Sequence, residues 1–243
     1  MRLTRHITQF SALTLLLGTL SLAQAHTTSQ QRFINKLLPE IRLVNRAILS
    51  DRTRLLKLET TKPTPQDRSW RRALAKAYHI PEFNPAAVAD RQLLLVRVDM
   101  VPAGLVLAQA AHESAWGTSR FAKAGNNFFG QWCFRAGCGL VPKQRPAGAH
   151  HEARVFPSVK AAIAAYMHNL NTNPAYTAFR QLRATTRKHQ QPLNSLKLAP
   201  GIERYNPARQ AYVARITTTI TRYHLTQYDA TPRSKPQAST AAK

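Results

Sequence analysis

Between Gln31 and Leu58 the apolar residues Phe33, Leu37, Ile41, Val44, Ile48, Leu55 and Leu58 recur at three, four or seven positions, which places them on one helical face, with a break expected near Ser50-Asp51. "TKPTPQ" (61–66) cannot continue a helix and reads as a linker. A short helix is expected over 68–78, ended by "HIPEFNP", and another over 90–100. Pro102 suits the first turn of the next helix, whose residues Gly104 to Ala111 are apolar on every face and therefore belong in a core, and Gly117 is placed to stop it. From 126 to 156 the character changes: glycines, prolines, both cysteines and short β-prone pieces predict a small sheet or hairpin lobe. Helical spacing returns after Ser158, a candidate cap, with Val159, Ile163, Tyr166 and Leu170 on one face. Further helices are expected from Pro174 and around Tyr212, Val213, Ile216, Ile220 and Tyr223.

Charge alters this picture of an ordinary helical protein. Thirty-five Lys and Arg against 11 Asp and Glu give a net charge of +24, a field that attracts polyanions: nucleic acid, anionic lipid or an anionic cell wall. The N-terminus chooses among them. Arg2 and Arg5 precede an apolar run from Phe10 to Leu22 and a small-x-small site at Ala23-Gln24-Ala25, the three-part pattern of a cleaved secretory signal over 1–25. The run is shorter than the ~18–20 residues of a membrane span, and no later segment replaces it. A periplasmic or secreted monomer acting on the cell envelope is expected, with anionic envelope polymers as partners and nucleic acid excluded. In an oxidising compartment Cys133 and Cys138, five apart and flanked by Gly137 and Gly139, are expected to form one local disulfide. The remaining chain divides into an N-terminal helical extension (26–92), a main domain (93–228) and a polar, disordered tail (229–243).

With 11 acids, each can be weighed. Most read as solvated charges or caps, Asp51, Asp99 and Asp229 among them. Glu113 differs: its helix is apolar, which penalises ionisation, and it lies near the helix C-terminus, where the dipole disfavours a second negative charge. A carboxylic acid still protonated near neutrality is what a general acid requires; a glutamate tied up by an arginine or by backbone donors is the structural alternative. His112-Glu113 lacks the second histidine of a metalloprotease, since Trp116 stands there. On spacing alone Glu152 reads as a surface charge balancing Arg154, and Glu203 as a partner of Arg204 or Arg209. Trp116, Phe128, Phe129 and Trp132 are either sugar-stacking aromatics or core; Tyr205 and Tyr212 are either core or cleft.

"AQAAHESAWGTSRFA" followed by "NNFFGQWC" resembles the peptidoglycan hydrolases of glycoside hydrolase family 73, the β-N-acetylglucosaminidases, most closely their Bax-like members in Gram-negative bacteria. "RVDMVPAGLVLAQAA", "FPSVKAAIAAYMHNLNTNPAY" and "RYNPARQAYVARI" extend the resemblance over about 93–225. It implies a lysozyme-like α+β fold, predominantly α-helical, with a small β lobe and a glycan cleft between lobes. By the same resemblance Glu113 is the general acid, Glu152 the second carboxylate, and Tyr205 a tyrosine assisting catalysis. Tyr212 is the alternative tyrosine, because "YNPARQAY" departs from the family's Tyr-Ala-Thr-Asp-Pro turn. Trp116, Asn127, Phe128, Phe129, Gly130 and Tyr212 are then expected to bind substrate. The implied reaction cleaves the β-1,4 bond after N-acetylglucosamine in glycan strands. Either Glu152 activates water with inversion, or the substrate's acetamido group stabilises the cation. No metal or organic cofactor is implied. A lytic transglycosylase of the same fold and a non-catalytic wall-binding protein are the rival readings.

Overall fold

The computed structural model describes residues 28–230; the expected signal segment (1–25) and most of the expected tail lie outside the described residues. Helix α1 (Ser29–Thr60) starts where the Thr28 side chain accepts from the Gln31 amide at 3.1 Å, and it buries the apolar face read from the sequence. It does not break at Ser50-Asp51. Tertiary anchors carry it onward: Leu55 and Leu58 are buried, and the Arg52 guanidinium donates to the carbonyls of Leu95 and Val98. The expected linker is correspondingly short, because Thr64 and Asp67 form a reciprocal capping box that starts α2 (Pro65–Ala77), with Pro65 in its first turn. Helix α3 (Val88–Arg97) follows.

Helix α4 (Ala103–Ser114) is the centre of the molecule. Its residues from Ala103 to Ala111 are all buried, as an all-round apolar sequence demands. After it come α5 (Arg120–Gly125), a lobe of three short antiparallel strands, β1 (Trp132–Cys133), β2 (Gly139–Leu140) and β3 (Glu152–Arg154) in the order β1-β3-β2, and then α6 (Val159–Thr172), capped by Ser158. Trp132 pairs with Ala153, and Gly139 with Arg154. Helix α7 (Thr177–Lys188) follows a 3₁₀ turn at Pro174–Tyr176; α8 (Ser195–Leu198) runs into a 3₁₀ segment, Ala199–Tyr205; and α9 (Arg209–Arg222) is followed by a 3₁₀ turn, Leu225–Tyr228. Helices α1, α8, α9 and the Leu225–Tyr228 turn pack around α4, and α6 packs on α1, so the N-terminal helices share the core of the main domain. The architecture is α+β and predominantly helical with a small β lobe, as expected. Among the described residues no helix is long and apolar enough to cross a membrane.

Two acids taken as solvated charges or caps are buried hubs. Asp99 takes two hydrogen bonds from Arg187, at 2.9 and 2.8 Å, and has Arg52 at 3.6 Å and Arg183 at 4.0 Å, tying α1 and α7 to the turn before α4. Burial pushes its pKa up, but the Arg187 hydrogen bonds and the charges of Arg183 and Arg52 outweigh burial and hold it below the usual carboxylate range. Asp229, expected to begin the disordered tail, accepts from the backbone amides of Gly104 (2.9 Å) and Ser195 (2.8 Å) and from the Ser195 hydroxyl (2.5 Å). It can approach α4 so closely because residue 104 is glycine: a Cβ there would lie 2.6 Å from the Leu225 carbonyl oxygen and 2.9 Å from Asp229 Oδ1.

Candidate active site

The end of α4 is built to hold one carboxyl group still. Ser114 donates its hydroxyl to the Ala110 carbonyl at 2.6 Å and accepts from the Gly117 amide at 2.8 Å, while the Trp116 amide donates to Ala111. The chain then turns through three consecutive left-handed residues, Ala115 (φ 49°), Trp116 (φ 56°) and Gly117 (φ 78°). Side-chain-bearing residues adopt this region at a cost of order 1 kcal/mol or more, borne here by the Ser114 bonds and by Trp116, whose ring is held edge-on against Phe33 and Tyr223. Glu113 therefore leaves the helix on a rigid stub.

Around Glu113 the environment is apolar and phenolic. Burial is the largest influence on its pKa and raises it; a hydrogen bond with Tyr212 and the positive surroundings of His112 and Arg215 pull the other way without cancelling it. Its Oε1 is buried and, among the described residues, has no hydrogen-bond partner. Among the described residues no arginine or backbone amide donates to it, as a structural glutamate would need. One turn earlier on the same face lies Gln109, fully buried. It accepts from the Tyr166 hydroxyl and donates from Nε2 to the Tyr212 oxygen at 2.9 Å. With its oxygen occupied as acceptor, the Tyr212 hydroxyl is left to donate its own hydrogen to Glu113. Burial and the neighbouring Glu113 both push the Tyr212 pKa far up, so it stays a neutral donor.

Gly130 closes the other side. Its φ is +63°, and a Cβ there would come 3.5 Å from Glu113 Oε2, so the backbone passes directly beside the carboxyl. The Tyr205 hydroxyl donates to the Phe129 carbonyl at 2.6 Å, pinning this loop, and its ring stacks on Tyr212 at 5.8 Å. Of the two candidate tyrosines, Tyr212 reaches the carboxyl and Tyr205 braces the loop beside it. Gly130, Phe129 and Tyr205 border an open groove of roughly 1030 Å³ that runs between α1 and α6.

The other expected residues fall in different places. Phe128 and Phe129 are buried, one against Phe33 and the other stacked on Tyr166 at 4.0 Å, so neither ring is free to stack on a sugar. Asn127 is also buried, its side chain bonded to Gln131 and Arg154 backbone, where it joins the loop to β3. Trp116 is half-buried in its aromatic clamp. Trp132 is 47% exposed and lines the groove. Glu152, expected as the water-activating carboxylate, is buried with its two oxygens accepting from the Gly137 amide at 3.1 Å and the Gly139 amide at 2.8 Å. Those amides lower its pKa. Glu203 lies 3.7 Å from Arg209, one of the pairings read from the sequence. Cys133 and Cys138 form the expected disulfide. The two sulfurs and Glu152 are grouped as metal ligands would be, but sulfurs bonded to each other are not thiolate ligands. Gln109 was missed, although it is the lone polar side chain inside the apolar run and sits one turn before Glu113.

Comparison with known proteins places this geometry in context. The family described as "Glucosaminidase: Mannosyl-glycoprotein endo-beta-N-acetylglucosaminidase" matches residues 94–225. The chain is 33% identical over 187 residues to "Protein bax" of Escherichia coli (strain K12), an alignment covering 76% of this chain and 66% of that protein, so it spans just under two thirds of that relative's length. Among solved structures, the catalytic domain of the autolysin Auto from Listeria monocytogenes superposes with a TM-score of 0.48 at 19% identity, over 92% of this chain and 100% of that chain.

Proposed function

The chain belongs to the glucosaminidase family, and from that premise we propose that it is a glycoside hydrolase that cleaves peptidoglycan at the β-1,4 bond after N-acetylglucosamine, with Glu113 as general acid. The observation that carries the reading is the state of Glu113: a half-buried carboxyl beside Gly130, which borders the open groove, its pKa raised by burial, with no partner for Oε1 among the described residues. Such a group keeps its proton until a glycosidic oxygen arrives to take it. As the bond breaks, positive charge grows on the anomeric carbon and negative charge on Glu113. The Tyr212 hydroxyl, already oriented by Gln109, then donates to a full carboxylate, a bond stronger than the one it makes to the neutral acid. Glu113 then recovers its proton from the incoming water.

For the opposite face of the sugar, the substrate's own acetamido group is the favoured partner of the cation. It needs no second carboxylate, whereas Glu152 could take a proton from water only by releasing the Gly137 and Gly139 amides. Glu152 is then a brace of the β lobe. Export directed by residues 1–25 would bring the protein to its wall substrate. The strongly positive charge, +24 for the full sequence and still +22 without Arg2 and Arg5 of the signal segment, would hold it on anionic envelope polymers, an attraction that salt weakens.

The test is digestion of purified sacculi by wild type and Glu113→Gln, followed by mass spectrometry of the fragments. General acid catalysis contributes about 10²–10⁴-fold, so the variant should lose at least about 100-fold in rate while keeping its fold. Wild-type products should carry reducing N-acetylglucosamine ends. Anhydro-muramic ends, or undiminished clearing by Glu113→Gln, would overturn the proposal.

A further inference from the structure

The groove bordered by Gly130, the neighbour of Glu113, runs on along α6, and its polarity changes along the way. One wall is α6, which lines it from Lys160 to Thr172, ~18 Å at ~1.5 Å per residue. The other wall is α1, through Leu43, Val44, Ala47, Ile48 and Asp51. Helix α1 lies outside residues 94–225 matched by the family, so this wall is an addition to the matched domain. At the end near Gly130 the rim is cationic, with Arg154 and Lys160 both exposed. Between the two ends the walls carry small apolar side chains, Ala47 on α1 and Ala164 and Ala165 on α6. At the far end lies Asp51, the one acid lining the groove among the described residues, with Tyr78, His79 and His168.

Asp51 is unlike the acids that serve the fold. It is half-buried, and among the described residues it accepts no hydrogen bond and has no cation within 4 Å; burial raises its pKa, with Arg54 acting only through space against that. The rings beside it are fixed: His168 Nε2 lies 2.7 Å from the Ala77 carbonyl, and the His79 ring meets His168 edge-on at 5.1 Å. A ligand suited to this channel carries an anion close to the glycan, small apolar groups next, and a cation roughly 12 Å farther on, the eight residues of α6 from Lys160 to His168 at ~1.5 Å each; an extended peptide at ~3.3–3.6 Å per residue spans that with about four residues. A glycan strand supplies no cation for Asp51.

We propose that the groove between α1 and α6 is a subsite for the peptide stem carried by peptidoglycan, with a stem carboxylate against Lys160 and Arg154, methyl groups on Ala47, Ala164 and Ala165, and the ammonium of a diamino acid against Asp51. The choice of ligand rests on the peptidoglycan reading above. Helix α1 thereby acquires a role in selecting peptide-bearing strands over stripped ones.

Two measurements test it. Calorimetry with a soluble N-acetyl-L-Ala-D-Glu-diaminopimelate-D-Ala peptide should show binding to wild type that weakens by about tenfold or more, ~1.4 kcal/mol, on Asp51→Lys or on acetylation of the one remaining amine, that of the diaminopimelate, and by less on Asp51→Asn. In turnover, Asp51→Lys should raise KM for peptide-bearing strands by a similar factor and leave strands stripped by an amidase cleaved at the wild-type rate. Equal binding of the peptide with its diaminopimelate amine free or acetylated would overturn the proposal, as would a KM change that is the same on both strands. Because binding is read without hydrolysis, the two readings fail separately. A wild type that binds the peptide but clears no sacculi sinks the hydrolase reading alone; one that clears sacculi but ignores the peptide sinks the subsite alone.

Discussion

Replacing Gln109 by leucine separates the acid from its support without touching it. Gln109 is fully buried and joins two buried hydroxyls, accepting from Tyr166 and donating to Tyr212. Leucine fills nearly the same volume but leaves both hydroxyls without that partner, at about 1–3 kcal/mol each, so a loss of ~2–6 kcal/mol in stability is expected. The more diagnostic effect is on Glu113. The Tyr212 hydrogen bond lowers the Glu113 pKa against the larger upward push of burial, with His112 and Arg215 also lowering it. Tyr205, Tyr166 and Tyr176 face the same carboxyl and are neutral phenols whose own pKa values are raised by burial. Freed from Gln109, the Tyr212 hydroxyl loses its fixed direction and its bond to the carboxylate weakens. A hydrogen bond to a charged group is worth ~1.5–3 kcal/mol, so weakening it should raise the Glu113 pKa further. A general acid loses activity as it deprotonates. The alkaline limb of kcat/KM against pH, measured on soluble glycan strands, should therefore move to higher pH in Gln109→Leu, with a lower plateau because the developing carboxylate is less well stabilised. Tyr212→Phe should move the limb in the same direction, and the double variant should be no worse than additive, since the orphaned oxygen is gone. A destabilised Gln109→Leu whose alkaline limb stays where the wild type's lies would refute the coupling and leave Gln109 a packing residue.

Other expectations follow from the same contacts. Asp99→Ala should lower unfolding free energy by about 3–5 kcal/mol in urea titrations, because it strands the buried Arg183 beside two further arginines. Since the folded-state pKa of Asp99 is depressed, its contribution is complete above the ordinary value near ~3.9 and disappears as pH falls through the folded value; the variant should lose that part of the acid-unfolding slope. Removing the Cys133–Cys138 bridge, which closes a loop with a separation of five, should cost about 2 kcal/mol and should raise amide exchange at Gly137 and Gly139, whose amides hold Glu152. Gly130→Ala should retain the fold and lose kcat, because a side chain at φ +63° is strained by ~1 kcal/mol or more and displaces the loop beside Glu113; unchanged kcat would remove that loop from the site.

What could be read from the chain and what could not divides along a physical line. The helix faces of α1, α6 and α9 were legible because each must bury one stripe, and the spacing of Phe33 to Leu58 or Ile216 to Ile220 is local information. Glu113 was legible for the same reason: an acid in an apolar helix is an anomaly visible at its own position. Interactions that depend on a distant segment were not legible. Asp99 looks like a cap until α7 brings Arg183 and Arg187 to it, 84 and 88 residues later, and Asp229 looks like the start of a loose tail until Gly104 and Ser195 close around it. The continuity of α1 past Ser50 likewise depends on Leu95 and Val98 accepting from Arg52. Helix α5 and the Ala199–Tyr205 segment were hidden by glycine and proline, which mark turns in sequence but here sit at helix ends and in a 3₁₀ segment. The candidate site inherits this division. The acid can be found one residue at a time, whereas the relay that tunes it runs Tyr166, Gln109, Tyr212, Glu113 across three helices, and the groove beside it needs α1 and α6 together. A search for such sites in other sequences should therefore begin with the misplaced acid and look one helical turn back, at position i−4, for a buried amide, because that is the one member of the relay whose spacing the helix itself fixes.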